Sequence, residues 1–275
     1  MERTDYDKYL RLEKFPLIWC PGCGDGIVLK AILRAVDRLG IEQNDVCMVS
    51  GIGCSSRTPG YVDFNTLHTT HGRALAFATG IKLYRSKMKV IVVSGDGDAL
   101  AIGGNHFIHA ARRNIDITLI LINNGIYGMT GGQVAPTTPV GSRAHTMPYG
   151  NYEAPFDPVD LARSAGATFV ARGTVYSILQ TTNYIKKAFD HKGFSMVEII
   201  SQCPTQYGRL NRIGDPKKML LWQKENSIPV SSSKNMSAQE LEGKIITGIF
   251  QEEQRREYAA TYHEYVKSIQ PGTEA

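Results

Sequence analysis

The run Val90-Ile91-Val92-Val93-Ser94-Gly95-Asp96-Gly97-Asp98 decides how this chain folds, together with a second run, Ile117-Thr118-Leu119-Ile120-Leu121-Ile122-Asn123-Asn124-Gly125-Ile126-Tyr127-Gly128. Each begins as an unbroken apolar stretch, the pattern of a strand buried on both faces of a parallel sheet. Helical periodicity over about 99–113 joins them into a βαβ unit, whose strands lie parallel. Asp96 and Asn124, 28 residues apart, therefore arrive at the same rim of the sheet, beyond the carboxyl ends of the strands, where α/β sheets bind ligands. Mg²⁺ takes oxygen ligands in near-octahedral geometry, usually from one or two protein side chains plus phosphates and water. Asp96, the side-chain oxygen of Asn124 and the backbone carbonyl of Ile126 can supply three of these. The amides of Gly97 and Asp98, at the start of the helix, suit a phosphate. An acidic turn and an Asn-Asn-Gly loop are each common in α/β proteins. Their placement at the ends of successive strands favours a metal–diphosphate clamp.

Working outward, apolar positions at helical spacing predict a helix over 26–39, stopped by Gly40. A short strand over 46–49 leads into the glycine-rich turn Gly51-Ile52-Gly53-Cys54-Ser55-Ser56-Arg57, and a polar loop carrying His68 and His71 leads to a helix over 72–85. Beyond Gly125 the chain reads as a loop to about Asp157, rich in Pro and Gly, and loops of that length are usually functional or covered by a partner. Helix 158–165, strand 168–171, helix 175–189 and strand 194–200 complete the alternation. The fold class is α/β, a doubly wound and mainly parallel sheet. We divide the chain into an α/β domain, 1–205, that binds the cofactor and carries the cysteines, and an extension, 206–275, whose charged tail beyond about 235 is expected to be helical and to pack on another subunit, a solvated arm being the alternative.

Composition narrows the function. Hydrophobic residues at 42% and charged residues at 21% are those of an ordinary globular protein. No apolar run approaches the ~20 residues of a membrane span, and the polar start Met1-Glu2-Arg3-Thr4-Asp5-Tyr6 lacks a signal sequence's apolar core, so the expectation is cytoplasmic, with no membrane partner. The net charge of +5 is mild, and no basic stripe interleaved with aromatics marks a nucleic-acid partner.

Of five cysteines, Cys20, Cys23, Cys54 and Cys203 lie in turns or at a strand end, while Cys47 falls within an apolar strand as a small core residue. Four thiolates are the complement of a [4Fe–4S] cluster. They also suit structural zinc, and Trp19-Cys20-Pro21-Gly22-Cys23 before a helix suits a redox dithiol. The cysteines alone leave these three readings open.

Gly95-Asp96-Gly97 through Asn123-Asn124 resembles the diphosphate-binding half of the thiamine-diphosphate signature, and Tyr127-Gly128-Met129-Thr130-Gly131-Gly132-Gln133 resembles its form in the 2-oxoacid:ferredoxin oxidoreductases. With the cysteines, the likeness spans most of residues 15–215. It implies a β subunit in which Asp96, Asn124 and Ile126 hold Mg²⁺. Gly97, Asp98, Gly128 and Met129 contact thiamine diphosphate, as do Ile52, Gly53, Cys54 and Ser55. It also favours the cluster reading, with one [4Fe–4S] on Cys20, Cys23, Cys54 and Cys203. Arg57 is a candidate partner for a substrate carboxylate, since Arg binds carboxylates bidentately; the alternative is a surface arginine. His71 is a candidate contact to phosphate or substrate, or else a structural histidine.

The implied reaction is oxidative decarboxylation of a 2-oxoacid with coenzyme A as co-substrate and ferredoxin as electron acceptor. The run Cys203-Pro204-Thr205-Gln206-Tyr207-Gly208-Arg209, with Leu221-Trp222-Gln223-Lys224-Glu225-Asn226, is most similar to the 2-oxoglutarate enzymes, although Gln206 stands as an insertion. Pyruvate and branched-chain or aryl 2-oxoacids are the alternatives. In another class, the alternative is a non-catalytic iron–sulfur or zinc module on a Rossmann-like core. Thiamine enzymes activate the cofactor with a Glu from a separate pyrimidine-binding domain, for which this chain has no room. The resemblance therefore implies an α subunit that supplies this Glu and contacts to coenzyme A and substrate, in an (αβ)₂ assembly with the 126–157 loop at the interface.

Overall fold

A computed structural model describes residues 4–270. Eight strands form one sheet: β1 (Val46–Ser50), β2 (Asn65–His68), β3 (Lys89–Gly95), β4 (Thr118–Asn123), β5 (Phe169–Thr174), β6 (Ser195–Ile200), β7 (Ser227–Pro229) and β8 (Ile245–Glu252). Their order across the sheet is β2-β1-β3-β4-β6-β5-β8-β7. The strands from β2 to β5 in that order are parallel, and β8 runs antiparallel to β5 with a register shift at Val170/Ala171. The central strands are buried along almost their whole length, as strands covered by helices on both faces must be.

Six longer helices and a terminal one cover the sheet: α1 (Asp25–Leu39), α2 (Ala74–Tyr84), α3 (Gly104–Arg113), α4 (Pro158–Ala165), α5 (Ile178–Asp190), α6 (Pro216–Asn226) and Tyr258–Ile269. One apolar layer packs α1 and α5 against Met48, Ile91, Ile120 and Val197. The other packs α2, α3 and α4 against Val49, Val92, Leu119 and Met196. Side chains alternate between the two layers along each strand, which makes the sheet the middle of a three-layer sandwich. Gly40 ends α1 and Gly166 ends α4, both with positive φ, the conformation glycine adopts without steric cost.

The expected alternation over 26–200 is present, with three differences. The polar loop after β1 contains a short edge strand, β2, paired with β1. The helix expected from 99 opens with a π-helical turn, Gly97–Ile102, before α3 begins. The extension contributes β7 and β8 to the chain's own sheet, β8 from the tail expected to be helical, although its last described segment is helical. Among the described residues no helix is long and apolar enough to cross a membrane.

One buried charge pair stabilises the outer face of this frame. Lys82 of α2 lies 2.7 Å from Asp116 beside β4, and both side chains are more than nine-tenths buried. Burial raises the pKa of Asp116, but Lys82, Lys89 and Lys192 more than reverse this and hold it low. Lys82→Ala leaves the buried carboxylate with only the more distant Lys192 and Lys89, so we expect a loss of up to about 3 kcal/mol, measurable as a lower denaturant midpoint.

Candidate functional site

A cavity opens beyond the carboxyl ends of β1, β3 and β4. It is lined by Ile52 to Ser55 from the turn after β1, His71 from the turn after β2, Gly95 to Asp98 after β3, and Ile122, Asn124 and Ile126 to Thr130 after β4. Gly53, Gly97, Asp98, Gly128 and Met129 are thus brought together with Asp96, Asn124 and Ile126. Arg57 is not. It is exposed on the turn Ser55–Gly60 and does not line the cavity.

Asp96 is buried at the top of β3, and its Oδ2 accepts hydrogen bonds from the Gly125 amide at 3.1 Å and from the Thr137 hydroxyl. Burial pushes its carboxyl up to about 6, against the opposing pull of those donors and the Gly97 amide. Asn124 Oδ1 accepts from the Ile126 amide at 3.2 Å, an Asx-type turn that curls residues 124–126 around the rim. One carboxylate, one side-chain amide and one backbone carbonyl on the wall of one cavity are a hard-oxygen donor set. That set fits Mg²⁺ shared with a diphosphate.

Asp98 does more than present its amide. Its carboxylate accepts from the Ser94 hydroxyl at 2.5 Å, the Gly72 amide at 2.7 Å and the Ile52 amide at 3.2 Å. This one buried group ties the turns after β1 and β2 to β3. A side chain at Gly51 would place its Cβ 2.2 Å from Asp98 Oδ2, so the turn needs glycine there. His71 Nδ1 lies 2.7 Å from Asp98 Oδ1, close but outside hydrogen-bond alignment. Its ring stands edge-on to that of Tyr127.

Tyr127 carried no signal that separated it from neighbouring loop residues. Its hydroxyl donates to the Gly97 carbonyl at 3.0 Å, and its ring occupies the space above Gly97. A Cβ at Gly97 would fall 2.3 Å from that ring. Gly97→Ala should therefore displace Tyr127 and cost about 1–3 kcal/mol, the usual range for overpacking, measured by thermal or denaturant unfolding.

The cysteines gather against the same wall. The Trp19 indole donates to the Cys54 carbonyl at 2.8 Å, and the Ile18 amide to the Tyr61 hydroxyl at 2.7 Å. The Gly24 amide donates to the Gln202 carbonyl, and the Gln202 side chain to the Gly22 carbonyl. These bonds dock the Cys20–Cys23 turn between the loops bearing Cys54 and Cys203. A Cβ on Gly128 would lie 3.5 Å from Cys203 Sγ and 3.7 Å from Cys54 Sγ, so two thiols sit at the cavity wall, and Cys54 itself lines the cavity. All five cysteines are free thiols, and Cys47 is buried in β1 as expected. Burial pushes Cys54 up to about 12, with Asp25 and the thiols of Cys203 and Cys20 adding to the rise, and Cys23 rises for the same leading reason. Cys203 is raised by burial, and the Tyr207 and Gln206 amides pull it back.

Those amides belong to a π-helical turn, Pro204–Gly208. Gln206, expected from the resemblance to be an insertion, lies within this widened turn. Asp25 was missed in the sequence. It is fully buried at the start of α1, neither carboxylate oxygen has a hydrogen-bond partner, and burial pushes it up to about 7. Among the described residues, no three His, Cys, Asp or Glu side chains are gathered tightly enough to hold one metal ion. The four thiols are nevertheless close enough that others of the set help to raise the pKa values of Cys23, Cys54 and Cys203.

Residues 51–199 match the family described as thiamine pyrophosphate enzyme, C-terminal TPP binding domain. The chain is 52% identical to the 2-oxoglutarate synthase subunit KorB of Methanocaldococcus jannaschii, over 95% of this chain and 97% of that one. The chain belongs to the β subunits of the 2-oxoacid:ferredoxin oxidoreductases. Other members of the family are similar too. The 2-oxoglutarate synthase subunit KorB of Archaeoglobus fulgidus is 52% identical over 93% of this chain and 92% of its own. Among solved structures, the 2-oxoglutarate:ferredoxin oxidoreductase from Magnetococcus marinus, with 2-oxoglutarate, coenzyme A and succinyl-CoA bound, aligns with a TM-score of 0.88 at 35% identity. That alignment covers 100% of this chain and 94% of the other. The likeness therefore extends through β7, β8 and the terminal helix, beyond the residues that the family domain matches.

Proposed function

We propose that this chain is the β subunit of a 2-oxoglutarate:ferredoxin oxidoreductase. With its partner subunit it converts 2-oxoglutarate, coenzyme A and oxidised ferredoxin to succinyl-CoA, CO₂ and reduced ferredoxin, reversibly. The observation that carries this reading is a shared wall. The cavity holding Asp96, Asn124 and Ile126 is lined on another side by Cys54 and Gly128, and Cys203 lies next to that same wall.

When bound, thiamine diphosphate supplies the electron sink for cleaving the bond between the 2-oxo carbon and its carboxylate, and a [4Fe–4S] cluster supplies a one-electron outlet. Asp96, the Asn124 side chain and the Ile126 carbonyl hold the Mg²⁺ in this reading, and the Gly97 and Asp98 amides receive phosphate oxygens. Ile52 to Ser55 and Met129 bound the reactive end of the cavity and exclude water. His71, fixed beside Asp98, presents its ring to the cavity as a contact for phosphate or substrate. Cys20, Cys23, Cys54 and Cys203 hold the cluster. The Gln206 and Tyr207 amides provide hydrogen bonds to Cys203 of the kind that tune such a centre. Arg57, exposed and off the cavity, pairs with substrate only if the assembly brings the carboxylate to it.

The α subunit supplies the pyrimidine-side Glu and the remaining contacts to substrate and coenzyme A, in an (αβ)₂ assembly in the cytoplasm. Tyr149 and Tyr152 in the 124–157 segment are largely exposed, which supports that segment as part of the subunit interface. The test is reduction of ferredoxin by the assembled complex with coenzyme A and each of 2-oxoglutarate, pyruvate and a branched-chain 2-oxoacid. We expect 2-oxoglutarate to be preferred by at least about tenfold in kcat/KM, a difference of about 1.4 kcal/mol. Preference for another 2-oxoacid would overturn the substrate assignment.

A further inference from the structure

A chain of buried polar groups runs from the sheet interior to the metal clamp. Glu198 stands in the middle of β6, fully buried, beside Arg172 in the register of β5 and β6. Arg172 Nε donates to Glu198 Oε2 at 2.6 Å, and Arg172 also donates to Asp157 at 2.7 Å, at the far end of the long loop. The other carboxylate oxygen, Glu198 Oε1, accepts from the Asn123 side-chain amide at 2.7 Å. Asn123 Oδ1 then accepts from the Thr137 hydroxyl at 3.0 Å and the Gly125 amide at 3.1 Å. Those same two donors also bond to Asp96 Oδ2.

The chemistry of this chain is directional. An ionised carboxylate only accepts hydrogen bonds, so Glu198 can face only the NH₂ end of Asn123. That turns the Asn123 carbonyl toward Thr137 and Gly125, whose single donor protons are shared between Asn123 Oδ1 and Asp96 Oδ2, so the carbonyl fixes where those donors stand beside Asp96. A buried Arg–Glu pair is weak evidence for stability, since apolar residues of similar volume often serve as well or better. Its best-attested use is to specify one arrangement among several, and the arrangement specified here is that of residues 123–126.

We propose that Glu198, held by Arg172, is a positioning residue for the metal–diphosphate clamp, acting through Asn123 and Thr137 on Asp96. This rests on the clamp reading above. In Glu198→Gln the side chain can donate as well as accept, so the orientation of Asn123 is no longer dictated. In Thr137→Val the shape is kept and the hydroxyl link to Asp96 is lost, which leaves the Gly125 amide as the remaining bridge.

The test is the Mg²⁺ dependence of thiamine diphosphate binding to the assembled complex, by equilibrium dialysis, with the thermal midpoint and visible absorbance of each variant recorded alongside. Both substitutions should weaken Mg²⁺-dependent binding by about ten- to a hundredfold, the range for groups that orient metal ligands, and leave the absorbance unchanged. The double variant should lose less than the product of the two single losses, because both cut the same chain. Lys82→Met breaks a buried ion pair remote from the clamp, so it should lower the midpoint without moving Mg²⁺ affinity. If the clamp variants shift affinity no more than Lys82→Met does, or combine additively, the proposal is overturned. If Glu198→Gln does not fold, Asn123→Ala, which removes the group that Glu198 orients and makes no hydrogen bond to Asp96 itself, carries the test with the same expected loss. Asp96→Ala separates the two levels: its retaining the cofactor overturns the clamp reading, whereas its losing the cofactor while Glu198→Gln and Thr137→Val keep it overturns this proposal alone.

Discussion

Asp96→Ala is expected to abolish retention of thiamine diphosphate and Mg²⁺ while leaving the iron–sulfur absorbance in place. Asp96 is the one carboxylate in the hard-oxygen set, and a divalent cation depends on that charge more than on the neutral oxygens of Asn124 and Ile126. Groups that merely orient a ligand already cost about ten- to a hundredfold when lost. Removal of the charged ligand itself should therefore exceed a hundredfold, enough to empty the site through purification. The fold should survive. The substitution removes a buried carboxyl that burial already pushes up to about 6. It leaves the Gly125 amide and the Thr137 hydroxyl sharing Asn123 Oδ1 as their acceptor. The thiols reach their positions through Trp19, Gly24 and Gln202, none of which touches Asp96. Unchanged cofactor retention in this variant would mean that the metal lies elsewhere.

Cys203→Ser should produce the converse phenotype, loss of the cluster with the diphosphate clamp intact. Serine keeps the size of the side chain but offers an alcohol where the cluster needs a thiolate. Cys203 is held at the start of the π-turn Pro204–Gly208, with the Gln206 and Tyr207 amides directed at its sulfur. The clamp residues Asp96, Asn124 and Ile126 make no hydrogen bond to this turn among those described, so Mg²⁺-dependent binding of thiamine diphosphate should fall less than about tenfold. Absorbance from thiolate–iron charge transfer, measured anaerobically, reads the first effect, and a thiamine assay reads the second. An intact cluster in Cys203→Ser would remove Cys203 from the ligand set.

Much of this was legible because parallel strands buried on both faces write themselves as apolar runs. Val90 to Val93 and Leu119 to Ile122 could be read as strands, and the positions of Asp96 and Asn124 followed from where those runs stop. β2 was not legible. It is a four-residue edge strand, half-exposed, whose sequence Asn65-Thr66-Leu67-His68 has neither alternation nor an apolar run. β8 was hidden for a different reason. Its antiparallel pairing with β5 depends on a tertiary partner and a register shift, and the charged residues that follow it resemble a solvated tail. The clamp's primary donors stood out by their place at strand ends. Thr137 did not, because it lies 41 residues from Asp96 inside a proline-rich loop with no periodicity. Glu198 and Arg172 were hidden within strands otherwise apolar, where a charge shows only that a partner exists and not which one. Asp25 fell between the cysteine turn and the helix it begins, and burial, invisible in sequence, is what makes it unusual.

The central claim is that one chain brings a thiamine diphosphate clamp and an iron–sulfur thiol group to the same cavity wall. The most direct test is the cofactor content of the complex assembled with its partner and purified anaerobically. The account predicts thiamine diphosphate together with iron and sulfide in the ratio of one [4Fe–4S] cluster per chain. Iron and sulfide without thiamine diphosphate, or zinc in place of both, would contradict it.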